Sequence, residues 1–148
     1  MVASLTSTIQ AVPGRALQEG QDILILAKAA LSAQGAMTAL AGGALTAATP
    51  LLNSYINEFT TVATTGDSCV LPPAIPGTEL TVINSGAQTL KIYAQTSNPN
   101  NPNAAGNPQA DLIVPLASST GAASINLNAS GVTVLTCASL GRWKSEIV

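Results

Sequence analysis

Between Thr60 and Tyr93 the chain alternates apolar and polar residues in short runs and breaks each run with Gly, Pro, Asn or Asp. Leu80 and Val82 alternate with Thr81 and Ile83, and Leu90, Ile92 and Ala94 alternate with Lys91 and Tyr93. A period of two places one set on a core face and the other on an outer face of a pleated strand. Val, Ile and Thr are stiff at χ1 and pack well on such a surface, so the text is that of β-structure. Asn84-Ser85-Gly86-Ala87 supplies residues tolerant of positive φ, and the segments on either side read as a hairpin.

The same grammar extends in both directions. Residues 55–63 read as a strand, Thr65-Gly66-Asp67 as a turn and residues 68–71 as a short strand. Pro72-Pro73 and Pro76-Gly77 cannot sit in a central strand, because proline donates no backbone hydrogen bond, and they suit a loop crossing between sheets. Residues 97–108 hold Asn and Pro at close intervals and are expected to form an exposed loop that does not pair. Strands return at 112–116, 124–128 and 132–137, with an Asn128-Ala129-Ser130-Gly131 turn joining the last two. Residues 141–147 are expected to form an edge or closing strand. Short strands every eight to twelve residues with turn signals between them predict a mainly β protein, an antiparallel β-sandwich or jelly-roll-like barrel.

The first residues follow another pattern. Residues 1–20 have no clear period and include Pro13-Gly14, which predicts an extended arm. From Asp22, a candidate N-cap, Ile23, Leu26, Ala27, Ala30 and Leu31 fall on one helical stripe that Gly35 could end. The competing reading makes residues 23–26 a short buried strand. The organisation is therefore an N-terminal arm over 1–37, with room for one short helix, and a β-domain over 38–148. The apolar run opening at Ile23 follows Glu19 and Asp22 instead of a basic leader, so no signal peptide is expected. Residues 23–48 contain Lys28, Gln34 and many small residues, which argues against a membrane span.

With 148 residues the chain is long enough for one domain with a sizeable core. Five basic and seven acidic residues, spread singly from Arg15 to Glu146, give a net charge of −2 and leave nothing to steer a nucleic acid. Histidine is absent, which removes the commonest general base and metal ligand. Asp67, Glu79 and Asp111 are too scattered to read as a pair, and Gly42-Gly43 matches no phosphate loop. The expectation is a chain that is not an enzyme and takes no cofactor or metal. Low charge offers little repulsion against association, so a homo-oligomer or docked subunit is expected. Cys69 and Cys137 could bridge across a sheet, but read better as free buried thiols. Lys91 reads as a solvating, edge-protecting charge on an outer face. Asn128-Ala129-Ser130 fits a glycosylation pattern too short to carry weight. Aromatic and arginine side chains anchor many interfaces, which makes Trp143, Arg142, Tyr93, Tyr55 and Arg15 the candidate interaction residues. Trp143 beside Arg142 could stack on a ligand, cover the core or anchor an oligomer.

The order of short motifs along residues 38–144 resembles a tailed-bacteriophage virion family. The elements are Thr38-Ala39-Leu40-Ala41-Gly42-Gly43, Ala48-Thr49 with Leu51, Ile56-Asn57, and Thr60-Thr61-Val62-Ala63-Thr64. Asp67-Ser68 with Leu71-Pro72, Pro76-Gly77, Val82 to Ala87, Cys137, and Gly141 with Trp143 follow. Each is degenerate, so order and spacing carry the likeness. The chain departs from it where relatives have an Asp-Thr-Ile-Asn-Gly turn after the hairpin and this sequence has its Asn/Pro-rich segment. The resemblance implies a small β-structured protein of the virion, foremost a head decoration (cement) protein. Such a protein sits on the capsid surface, assembles in the host cytoplasm and bridges major capsid protein subunits. It also implies self-association, with a homotrimer favoured over a dimer, and no nucleic-acid or membrane partner. A tail, fibre or receptor-binding module is the alternative.

Overall fold

Alternation in the sequence becomes alternation in burial. Leu80, Val82 and Asn84 are buried along one strand, and Leu90 and Ile92 along another, while the residues between them are partly or fully exposed. The computed structural model describes residues 32–148. In chain order their strands are β1 (Ala33–Thr38), β2 (Ile56–Thr61), β3 (Ser68–Val70), β4 (Glu79–Asn84), β5 (Leu90–Tyr93) and β6 (Asn98–Pro102). After them come β7 (Pro108–Gln109), β8 (Leu112–Pro115), β9 (Ser124–Leu127), β10 (Val132–Ser139) and β11 (Arg142–Ile147), and no helix occurs among the described residues.

A six-stranded sheet runs β1-β2-β4-β10-β11-β8, a three-stranded sheet runs β3-β5-β9, and β6 pairs with β7. One hydrophobic core joins the two larger sheets. Phe59, Leu80, Val82, Ile113, Leu135, Cys137 and Trp143 enter it from the first, and Cys69, Leu90, Ile92 and Leu127 from the second. Leu52, Val62, Leu71, Ala74 and Ala94 enter it from the connections. The mainly β class expected from the sequence is therefore the class observed.

The pairing differs from the expected antiparallel one. β1 and β2, β2 and β4, β8 and β11, and β3 and β5 run parallel, while β4 with β10, β10 with β11, β5 with β9 and β6 with β7 run antiparallel. The cause is that the chain keeps changing sheets. Consecutive strands β2 to β5 alternate between the two sheets, so strands reached by a crossover pair with the same direction. The proline-rich segment after β3 makes one of these crossings, as its sequence suggested.

The segments 80–83 and 90–93 accordingly do not form a hairpin. β4 has β2 and β10 on its two edges, and β5 has β3 and β9. Two features turn the chain from one sheet to the other. Asn84 is fully buried, with its amide nitrogen donating to the carbonyls of Gln88, Leu127 and Asn128 at 2.8, 3.0 and 3.0 Å, and its oxygen accepting from the Gly86 N–H at 3.0 Å. Gly86 passes so close to Val62 that a Cβ there would lie 2.7 Å from the Val62 backbone nitrogen. The turn after Asn128 likewise leads from β9 to β10 across sheets and joins no hairpin.

Other expectations shift in the same way. Asn98–Pro102 and Pro108–Gln109 pair as a short ribbon, where an unpaired loop was expected; Asn98 is buried and anchors it, donating to Asp111 Oδ1 at 2.9 Å. β11 is an interior strand between β10 and β8, not an edge, because its inward residue Trp143 pairs with Cys137 on one side and Ile113 on the other. β10 and β11 do form a true hairpin, closed by Leu140 and by Gly141 at φ 74°. The sheet begins at Ala33, so residues 33–37 belong to it and Gly35 lies within β1; the remainder of the expected arm and helix lies outside the described residues.

Two predictions test this arrangement. Asn84→Ala leaves buried carbonyls unpaired and is expected to destabilise by about 2–3 kcal/mol in urea unfolding. Asn84→Asp should be at least as damaging, because a carboxylate would face three carbonyl oxygens. Trp143 is fully buried and its indole N–H has no partner. Trp143→Ala should cost about 3–5 kcal/mol, whereas Trp143→Phe, which removes the orphaned donor along with some volume, should cost markedly less.

Candidate interaction surface

The residues singled out for interaction are not brought together. Trp143 is entirely inside the core, so it contributes packing and offers no surface for a ligand or partner. The neighbouring Arg142 points to the opposite face of β11 and is exposed. Tyr55 precedes β2 and donates its hydroxyl hydrogen bond to Glu79 Oε1 at 2.7 Å, and that bond and the carboxylate's charge raise its pKa. Tyr93 lies in the three-stranded sheet, where its hydroxyl donates to the Gly43 carbonyl and its ring has the Lys91 ammonium 5.0 Å from its centre. Lys91 is half-buried on β5, the middle strand of that sheet, so it solvates an outer face but protects no edge. Arg15 lies outside the described residues.

The groups with chemical potential are committed to holding loops. Asp67 is buried and accepts from the backbone N–H of Ala63 and Thr64 at 2.9 Å each, from the Thr64 hydroxyl at 2.5 Å and from the Gly42 N–H at 3.4 Å. These donors, the Thr64 hydroxyl foremost, hold its carboxyl below the ordinary 3.8. Asp111, also buried, accepts from the Ala74 N–H at 2.8 Å and from Asn98. Cys69 and Cys137 are free and lie in different sheets. Burial pushes both thiols upward, away from the reactive thiolate, and the Asp111 charge adds to the effect at Cys137. No group of three or more His, Cys, Asp or Glu side chains converges among the described residues. Sequence reasoning noticed the two aspartates but not their role; the signal was local, an Asp closing a Thr-Thr-Gly turn, which is a common way for a carboxylate to bind its own backbone.

What remains open is apolar. A groove of about 310 Å³ lies where β8 and β9, edge strands of the two sheets, come together beside the end of β11. Pro115, Leu116, Ala117, Ile125 and Ile147 line it, with Ser145 and Glu146 at its polar side. Leu116, Ile147 and Val148 are 61, 65 and 81% exposed, which is unusual for large aliphatic side chains next to one another in sequence or space. The free edge of β8 is closed by Ala122, which exchanges two 2.8 Å backbone bonds with Ile113, so the groove offers side-chain contact without an open ladder. At the opposite edge of the sheet, β1 is uncharged and exposed except at Met37, and its register with β2 is broken around Ala36, which has φ 56°.

No protein-family model, curated protein or solved structure matches this chain.

The Asp67 cluster has a pH signature. Because its carboxyl is held below its unfolded value, the stabilisation is complete at neutral pH and is lost as pH falls below about 4 through the depressed folded value. Thermal unfolding should show this acid sensitivity in the natural chain, and Asp67→Asn should lower the melting temperature at pH 7 while flattening the dependence between pH 5 and 2.

Proposed function

We propose that this chain is a virion structural protein of the head-decoration type, which binds the outer surface of a capsid and stabilises it by bridging major capsid protein subunits. The observation that carries this reading is a β-sheet body in which, among the described residues, the buried carboxylates Asp67 and Asp111 are hydrogen-bonded internally and the two thiols are buried, while an apolar groove stays open at its margin. Such a body has little to offer as a catalyst and much to offer as a shaped contact. The motif order along residues 38–144 points in the same direction.

In this mechanism the Leu116 and Ile147 side chains take apolar side chains of a capsid subunit, and the Glu146 and Ser145 rim excludes water around them. Each contact needs only an ordinary interface of about 800 Å² per partner. A symmetric dimer or trimer holding several subunits at once multiplies modest contacts through effective concentration. The low charge of the surface suits a partner that is protein and not nucleic acid. The capsid exterior, reached after assembly in the host cytoplasm, is the corresponding location, and no cofactor takes part.

The test uses expanded capsids lacking the protein. Added full-length chain is expected to bind saturably and to raise the temperature at which the shells open. Leu116→Asp and Ile147→Asp, both at exposed positions, should leave the fold intact and weaken binding at least tenfold, about 1.4 kcal/mol. Absence of binding, together with unchanged heat resistance of the shells, would refute the proposal.

A further inference from the structure

The outer face of the six-stranded sheet carries a second pattern, which meets the groove at Glu146. Thr136 on β10 pairs with Glu79 on one side and Lys144 on the other, and Val134 pairs with Thr81 and Glu146. Two adjacent rows across the sheet therefore read Glu79-Thr136-Lys144 and Thr81-Val134-Glu146. All six side chains are half-buried or exposed and lie on the face away from Leu80, Leu135 and Trp143. The rows are two residues apart along each strand, about 7 Å. Lys144 and Glu146 flank a shallow apolar depression of about 210 Å³ floored by Val134, Thr136 and Ala138.

One cation and one anion in successive rows of a single strand, beside a β-branched surface, are complementary to the same pattern turned end for end. A two-fold axis running across the strands between the two rows sets Lys144 against the partner's Glu146, and Glu146 against the partner's Lys144. The same operation lays Val134 over the partner's Thr136. An axis along β11 would instead oppose Lys144 to itself and Glu146 to itself, so the charges select one of the two face-to-face arrangements. Stacked sheets sit about 10 Å apart and cross at about 30°, so close contact is confined to one part of the face, here that around β10 and β11. An interface of this kind is isologous: each contact occurs twice.

We infer that the outer face of β10 and β11 is a self-association surface, on which two copies of this chain pack sheet against sheet about a two-fold axis that pairs Lys144 with Glu146. The inference does not depend on any capsid partner, and its test contains none.

Mass measured by sedimentation equilibrium on the full chain, from about 1 to 500 µM, is expected to show a dimer. Lys144→Glu and Glu146→Lys each place like charges together twice, so each should weaken dimerisation at least tenfold while near-UV circular dichroism shows the fold retained. Mixing the two single variants restores both opposite-charge contacts, and the mixture should regain the dimer mass. The double variant Lys144→Glu/Glu146→Lys should associate alone as the natural chain does. A natural chain monomeric throughout, a trimer, single variants as strongly associated as the natural chain, or a mixture that stays monomeric would each overturn the assignment.

Discussion

The structure depends on pairing the backbone where the chain passes from one sheet to the other. The connections from β2 through β5, and again from β8 through β10, all cross between sheets. Each crossing takes N–H and C=O groups out of a ladder while still close to the core, and a buried group left unpaired costs about 1–3 kcal/mol. Against a net stability of about 5–15 kcal/mol, a few such losses would remove the fold. Asn84, Asp67 and the Asn98–Asp111 pair meet this demand. The first ties β4 to the end of β9, the second closes the turn before β3, and the third fastens the ribbon of β6 and β7 to the loop containing Ala74.

This use of polar residues limits chemistry elsewhere. A carboxylate held down by hydroxyl and backbone donors, as Asp67 is, is a poor base, and a thiol whose pKa is raised by burial is a poor nucleophile. The same residues hold the crossings in place, and the side chains left open lie on surfaces: the aliphatic groove around Leu116 and the outer face of β10 and β11. Recognition by a rigid β-scaffold then rests on shape and on where a few charges are placed.

The inward and outward sense of β4 and β5 was legible in the sequence, and so were the positions of all strands but β1, β6 and β7, because period two is a local property. Partnership was not. Leu80, Val82, Leu90 and Ile92 point into the core whether their strands are joined by a hairpin or by a crossover, so the alternation around Asn84 is the same in both cases. What decides between them is the burial of Asn84 and the contact of Gly86 with Val62, and Val62 is distant in sequence. For Trp143 the sequence left ligand stacking, a cover for the core and an oligomer anchor open, and the core reading holds: the strand bearing it lies between β10 and β8, and an interior strand turns one face wholly to the core. The Asn/Pro segment was read as unpaired because proline removes donors, yet pairing needs only the residues between prolines, and Asn98 supplies the anchor that composition does not reveal.

Charge is scarce enough here that its placement carries information. Of the six charged residues on the surface of residues 32–148, three, Arg142, Lys144 and Glu146, stand on β11. A solvated strand needs no such concentration, and scattered single charges would serve solubility better. Exposed ion pairs add little affinity, typically below about 1 kcal/mol, but like-charge contacts and mismatched registers are strongly disfavoured. On a sheet whose outer residues are largely Val, Ile and Thr, apolar contact is available in many registers, and charges on one strand are what can distinguish them. β11 therefore differs on its two faces: Trp143 and Ser145 are buried on the inner one, and Arg142, Lys144 and Glu146 place its charges on the outer one, where the proposed two-fold contact would read them.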